Sequence, residues 1–256
     1  MRILAGVFAA TLLISACGSG DPSGPPSATS STGTGPAGAT AGTLPGGVDA
    51  GTVTIDGTDI DYVTVVPDGF EIGDTAPVLL ALPPGGQDLA VTRSLVEDTY
   101  ATEARRRGWV VVSPAAPAGQ KFFDGSEALV PGLLDWIDTW VTPEGGKPHV
   151  AGVSNGGISS FRVAGQNPDR FRSILVFPGF PRSEEDRAAL RALVDVPVRM
   201  FAGENDTGWV GPMQDTLTTL TDLGADATLE IFPGEGHIIG ALRDGVRIFD
   251  ELDALR

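Results

Sequence analysis

The chain has 256 residues, 41% of them hydrophobic, with 33 acidic against 17 basic side chains and a formal net charge of −16. Such acidity repels nucleic acid and anionic lipid surfaces, which excludes both as electrostatically held partners. The only cysteine is Cys17, so no disulfide can form within the chain and the fold must rest on its core.

Met1-Arg2 is a brief basic start, and Ile3 to Ala16 is apolar. The apolar run is shorter than the roughly 20 residues a membrane-spanning helix needs, so residues 1–16 read as a cleaved signal peptide. Ile14-Ser15-Ala16 running into Cys17 resembles a bacterial lipoprotein signal. That resemblance implies that Cys17 becomes the lipidated first residue and that the protein sits outside the cytoplasm, anchored to the cell membrane by lipid. An ordinary secretory signal with an incidental cysteine is the alternative. Residues 17–50 are almost wholly Gly, Ser, Pro, Thr and Ala. This composition buries too little apolar surface to offset ordering entropy, and a tether of that length reaches on the order of 30 Å.

Residues 51–256 read as one domain. Thr52 to Ile55 and Ile60 to Val66 form an expected antiparallel pair around Asp56-Gly57. Strands and helices then alternate. Pro77 to Leu82 precedes a helix from Val91 to Arg107, Trp109 to Ser113 precedes Glu127 to Trp140, and His149 to Val153 precedes Asn155 to Gln166. Ser173 to Phe177 leads to Glu184 to Leu193, Val196 to Ala202 to Gly211 to Leu223, and Ala227 to Phe232 to a closing helix from Ile239 to Leu255. This alternation predicts an α/β fold with a mostly parallel central sheet flanked by helices and joined by right-handed crossovers.

Ser154 lies in Gly152-Val153-Ser154-Asn155-Gly156, between a predicted strand and a predicted helix. A turn tight enough to lift a serine Oγ clear of a sheet strains the backbone, and glycines two residues to either side remove the side chains that would clash. In a chain with 35 glycines the motif alone is weak, and its context carries the argument.

A nucleophilic serine needs a base, and the chain has two histidines. His149 begins the strand that ends at Ser154. At about 3.3 Å per residue it lies roughly 16 Å away at the other end of the sheet, as a surface residue at the strand's start. His237, in the glycine-rich stretch after Phe232, is expected at the strands' C-terminal edge, the edge that carries Ser154. The orienting acid is assigned to Asp206, in the loop after Val196 to Ala202, with Glu204 on the same loop as the understudy. Asp222 and Asp226 read as solvated. The oxyanion donors are assigned to the backbone N–H groups of Asn155 and Gly86, with Gln87 as the one-residue alternative in Pro83-Pro84-Gly85-Gly86-Gln87-Asp88.

With these residues in hand, the chain resembles an α/β-hydrolase serine esterase. Its Gly-Val-Ser-Asn-Gly-Gly elbow and upstream Gly-Gly-Gln-Asp loop are similar to those of the polyhydroxybutyrate depolymerase and feruloyl esterase branch. Two positions depart from that branch: proline replaces the histidine usual before Gly85, and Ile238-Ile239 follow His237 where an aromatic residue is common. The resemblance implies a lid-free α/β-hydrolase fold, since Phe177 to Val196 holds only one helix. It also implies hydrolysis of a small or polymeric ester through an acyl-enzyme on Ser154, by a monomer needing neither cofactor nor metal. Trp209, Phe122 and Phe123 are candidate pocket walls or core residues. A peptidase or acyltransferase of the same fold, and a non-catalytic binding lipoprotein, are the other classes this pattern admits.

Overall fold

The computed structural model describes residues 46–256; the predicted signal peptide, Cys17 and most of the tether lie outside them. The main sheet has eight strands in the order β1-β2-β5-β4-β7-β8-β9-β10. These are β1 (Gly47–Ile55), β2 (Thr58–Val66), β4 (Val78–Leu82), β5 (Val110–Pro114), β7 (His149–Gly152), β8 (Ile174–Val176), β9 (Val198–Gly203) and β10 (Ala227–Phe232). β1 pairs antiparallel with β2 and β2 with β5, while β5, β4, β7, β8, β9 and β10 are all parallel. Two further strands, β3 (Thr75–Ala76) and β6 (Thr142–Pro143), pair with each other outside this sheet.

The central strands are near-continuous apolar runs because both faces are covered. In β4 all five residues are buried. Val78, Leu80 and Leu82 face a core shared with α3 (Val130–Asp138), α4 (Asn155–Gln166) and α6 (Thr207–Asp222), while Leu79 and Ala81 face a second core. That second core includes residues of α1 (Leu89–Leu95), α2 (Ala101–Arg107) and α7 (Val246–Ala254). The period of two along the strand divides the apolar side chains between the two layers.

Several boundaries differ from the sequence reading. β1 begins at Gly47, so residues 47–50 of the expected tether belong to the sheet. Their main chain pairs with Val63 to Val66, and Val48 and Ala50 pack on the second core. The helix expected over Val91 to Arg107 is α1 and α2 joined by a π-helical turn at Val96–Tyr100. The closing helix starts at Val246 instead of Ile239, since Gly245 adopts φ 74° and a Cβ there would strike the Thr99 carbonyl. α6 begins at Thr207, ahead of the expected Gly211, with Pro212 inside it. α5 (Glu184–Ala189), capped by Ser183, is the α-helix between β8 and β9, so no large lid is inserted there.

Connections from β4 run to β5 on one side, and those from β7 run outward through β8 and β9 to β10 on the other. The sheet's switch point therefore falls between β4 and β7, where open α/β sheets leave a crevice at the strands' C-terminal ends.

Candidate active site

Ser154 stands where β7 turns into α4, and its backbone has φ 56° and ψ −117°, a conformation L-residues rarely adopt. Its N–H donates to the Pro178 carbonyl at 2.9 Å, and the Ile158 N–H donates to its own carbonyl at 3.1 Å. The flanking glycines are required by space. A Cβ on Gly152 would overlap the Gly156 carbonyl, and one on Gly156 would overlap the Leu82 carbonyl. Gly157, outside the five-residue motif, is pressed against Pro178 and Gly179 in the same way.

His237 and Asp206 meet Ser154 at this edge. His237 Nδ1 lies 2.7 Å from Asp206 Oδ2, and Nε2 lies 2.9 Å from Ser154 Oγ. With Nδ1–H donating to the carboxylate, Nε2 is left as an acceptor for the serine hydroxyl. The Asp206 side chain is 11% exposed and the imidazole 37%, so the acid is shielded while the base faces the solvent-accessible crevice. Asp206 stands at the N-cap of α6 yet its side chain makes no capping bond, which leaves its carboxylate for the histidine.

Glu204 does something different. Its Oε2 accepts from the Gly234 N–H at 2.9 Å, bracing the loop that carries His237. The Asn205 N–H donates to the Glu235 carbonyl at 2.8 Å, and a Cβ on Gly203 would collide with the Gly236 carbonyl. The acid loop and the histidine loop thus form one packed unit. Trp209 lies against the imidazole with ring centroids 4.9 Å apart, and Phe180 meets Trp209 edge-on at 5.0 Å.

In the loop after β4, the Gln87 N–H donates to the Pro84 carbonyl at 3.0 Å and is therefore unavailable to a ligand. The Gln87 side chain is buried, donating to the Pro83 carbonyl and Ser159 Oγ and accepting from the Phe122 N–H at 2.8 Å. Gln87 is a brace that fixes the loop's shape. The Gly86 N–H has no hydrogen-bond partner among the described residues. Asn155 Nδ2 donates to the Gly85 carbonyl at 2.8 Å, tying this loop to the elbow.

His149 is not the surface residue expected from its position. It is 2% exposed, with Nδ1 2.6 Å from Ser173 Oγ and its ring 5.1 Å from that of Trp109. Burial disfavours the imidazolium and pushes its pKa down to about 4. Phe122 is wholly buried in the core, and Phe123 carries the Arg182 guanidinium 5.6 Å from its ring centre. Of the three aromatic candidates, Trp209 is the one in contact with the imidazole. A groove of about 740 Å³, lined by His237 and by residues of α1, went unread in the sequence because its walls come from separate segments.

The fold is that of the α/β hydrolases. A ferulic acid esterase superimposes with a TM-score of 0.64 at 14% identity, over 83% of this chain and 98% of that one. A thermostable esterase gives a TM-score of 0.58 at 15% identity over 73% of this chain, and a Bacteroides ovatus protein designated a dipeptidyl aminopeptidase IV gives 0.62 at 18% over 82%. The matched regions span 54% and 35% of those two proteins' lengths. At these identities the likeness establishes the architecture. No protein-family profile and no curated protein matches the chain.

Proposed function

We propose that this protein is a serine hydrolase that cleaves carboxylic esters through an acyl-enzyme on Ser154, with His237 as general base and Asp206 as its orienting acid. One observation carries the reading: the continuous hydrogen-bonded line from Asp206 through His237 to Ser154, ending on a serine at φ 56°.

The steps follow from that line. Ser154 Oγ attacks the ester carbonyl carbon as its proton passes to His237 Nε2, and Asp206 stabilises the imidazolium. The backbone N–H groups of Asn155 and Gly86 face the oxyanion of the tetrahedral intermediate. Collapse expels the alcohol, which takes the proton from Nε2. Water then attacks the acyl-enzyme by the same route, releasing the acid and restoring the serine. In the cell the protein works outside the cytoplasm, as a monomer held to the membrane by lipid on Cys17.

Amide hydrolysis is a second reading, favoured by the structural likeness to the aminopeptidase-designated protein. Matched ester and amide substrates of one acyl group separate the two. Labelling by a fluorophosphonate that is lost in Ser154→Ala, with ester turnover lost in Ser154→Ala and His237→Ala, tests the core of the proposal. Full esterase activity in Ser154→Ala overturns it.

A further inference from the structure

Beside His237 the molecule carries a groove of about 740 Å³, within the range of roughly 300–1,000 Å³ typical of small-molecule sites. It reaches from Pro84 of the oxyanion loop and His237 to the α1 layer, so it opens onto the proposed catalytic line. Its walls include Leu95, Val153, Phe177, Ile239 and Leu242, each no more than 9% exposed. Polar groups also line it, among them Ser94, Asp98 and Arg243. Asp98 and Arg243 carry opposite charges, and neither is ion-paired among the described residues, so the two together give no net advantage to a substrate end of either sign. Ile238 also lines the groove at 57% exposure, extending its apolar surface toward solvent.

We infer that this groove holds one arm of the substrate, and that the arm is uncharged and apolar, an aliphatic chain or an aromatic ring. The inference rests on the esterase reading and specifies its substrate class. Val91 and Ser94, on the outward side of α1, then set how much of the arm can enter. Neither is hydrogen-bonded to Ser154, His237 or Asp206, and neither is buried in the core, Ser94 being exposed and Val91 half-buried.

Two ester series test this. One varies the acyl chain of p-nitrophenyl esters from acetate to decanoate; the other varies the alcohol of acetate esters from methyl to octyl. In the series whose varied arm enters the groove, kcat/KM rises about fourfold for each methylene until the groove is filled. Val91→Trp and Ser94→Trp should each abolish that rise, with thermal unfolding checking that both variants are folded. Rates independent of length in both series, or a rise that survives both tryptophans, overturn the inference while the esterase reading stands. Failure to hydrolyse even p-nitrophenyl acetate, with no fluorophosphonate labelling, removes the esterase reading and this inference with it.

Discussion

The Asn155 side chain donates from Nδ2 to the Gly85 carbonyl at 2.8 Å, so the residue that follows the serine also holds the loop across from it. Its main chain and its side chain do separate work. In the proposed mechanism the N–H meets the oxyanion, while the amide fixes the distance between the elbow and Gly86, whose N–H is the other donor.

Asn155→Ala keeps the first of these and removes the second. Loosening one oxyanion donor without deleting it should lower kcat by about tenfold, less than the roughly hundredfold or more that follows loss of a donor. KM should change little, because the ground-state carbonyl depends less on this geometry. Steady-state kinetics on one activated ester decide it, and unchanged kcat would show that the loop holds its shape through Gln87 alone.

Asp206 and Glu204 sit two residues apart on one loop, and substitution separates their roles. Asp206→Asn leaves the loop intact but removes the charge facing His237 Nδ1, and it should cost on the order of 10³ to 10⁴ in kcat. Glu204→Gln keeps an oxygen that can accept from the Gly234 N–H and loses only the charge assistance, and should cost less than about tenfold. A larger loss in the glutamate variant would transfer the orienting role to Glu204.

The contrast between these two acids shows what the sequence could and could not supply. The meeting of Ser154, Asp206 and His237 at one edge was legible because each follows an apolar strand, and parallel strands deliver their C-terminal ends to one edge. Glu204 as a brace on Gly234 was not legible, since a carboxylate's partner in another loop leaves no local pattern. Gln87 was misjudged for the same reason: its N–H closes a turn onto Pro84, and its side chain bonds to three segments. His149 looked peripheral because β7 begins with it, yet Trp109, just ahead of β5, covers it. The early start of β1 was hidden because main-chain pairing does not need the apolar alternation by which strands are recognised.

Tyr100 ends the π-helical turn, fully buried, with its ring edge-on to Phe249 at 6.2 Å. Its hydroxyl has no hydrogen-bond partner among the described residues, and burial pushes its pKa upward. A buried donor without an acceptor costs more than it returns. Tyr100→Phe keeps the ring packing and deletes the unpaired group, so stability should rise by about 1 kcal/mol, or roughly 2–4 °C in Tm for a domain of this size. A drop in Tm on thermal unfolding would reveal a partner for the hydroxyl.

His149 gives the fold a pH dependence distinct from that of catalysis. In the unfolded chain it titrates near its ordinary value of 6.5, and in the fold desolvation holds it neutral down to about 4. Between those values the unfolded state binds the extra proton, so stability rises with pH across this window. The contribution is fully present above pH 6.5 and is lost as pH falls toward 4, amounting to about 3 kcal/mol at most. His149→Ala removes this slope and also leaves a cavity beside Trp109 and an unpaired Ser173 hydroxyl, so it should be less stable than the parent at pH 7 by about 2–4 kcal/mol. The gap between the two should narrow as pH drops from 6.5 to 4. Ester turnover by the folded variant at pH 7 should match the parent, because His149 stands at the far end of the strand from Ser154. Urea unfolding at several pH values measures the gap, and a gap that stays constant with pH would place the acid-labile group elsewhere.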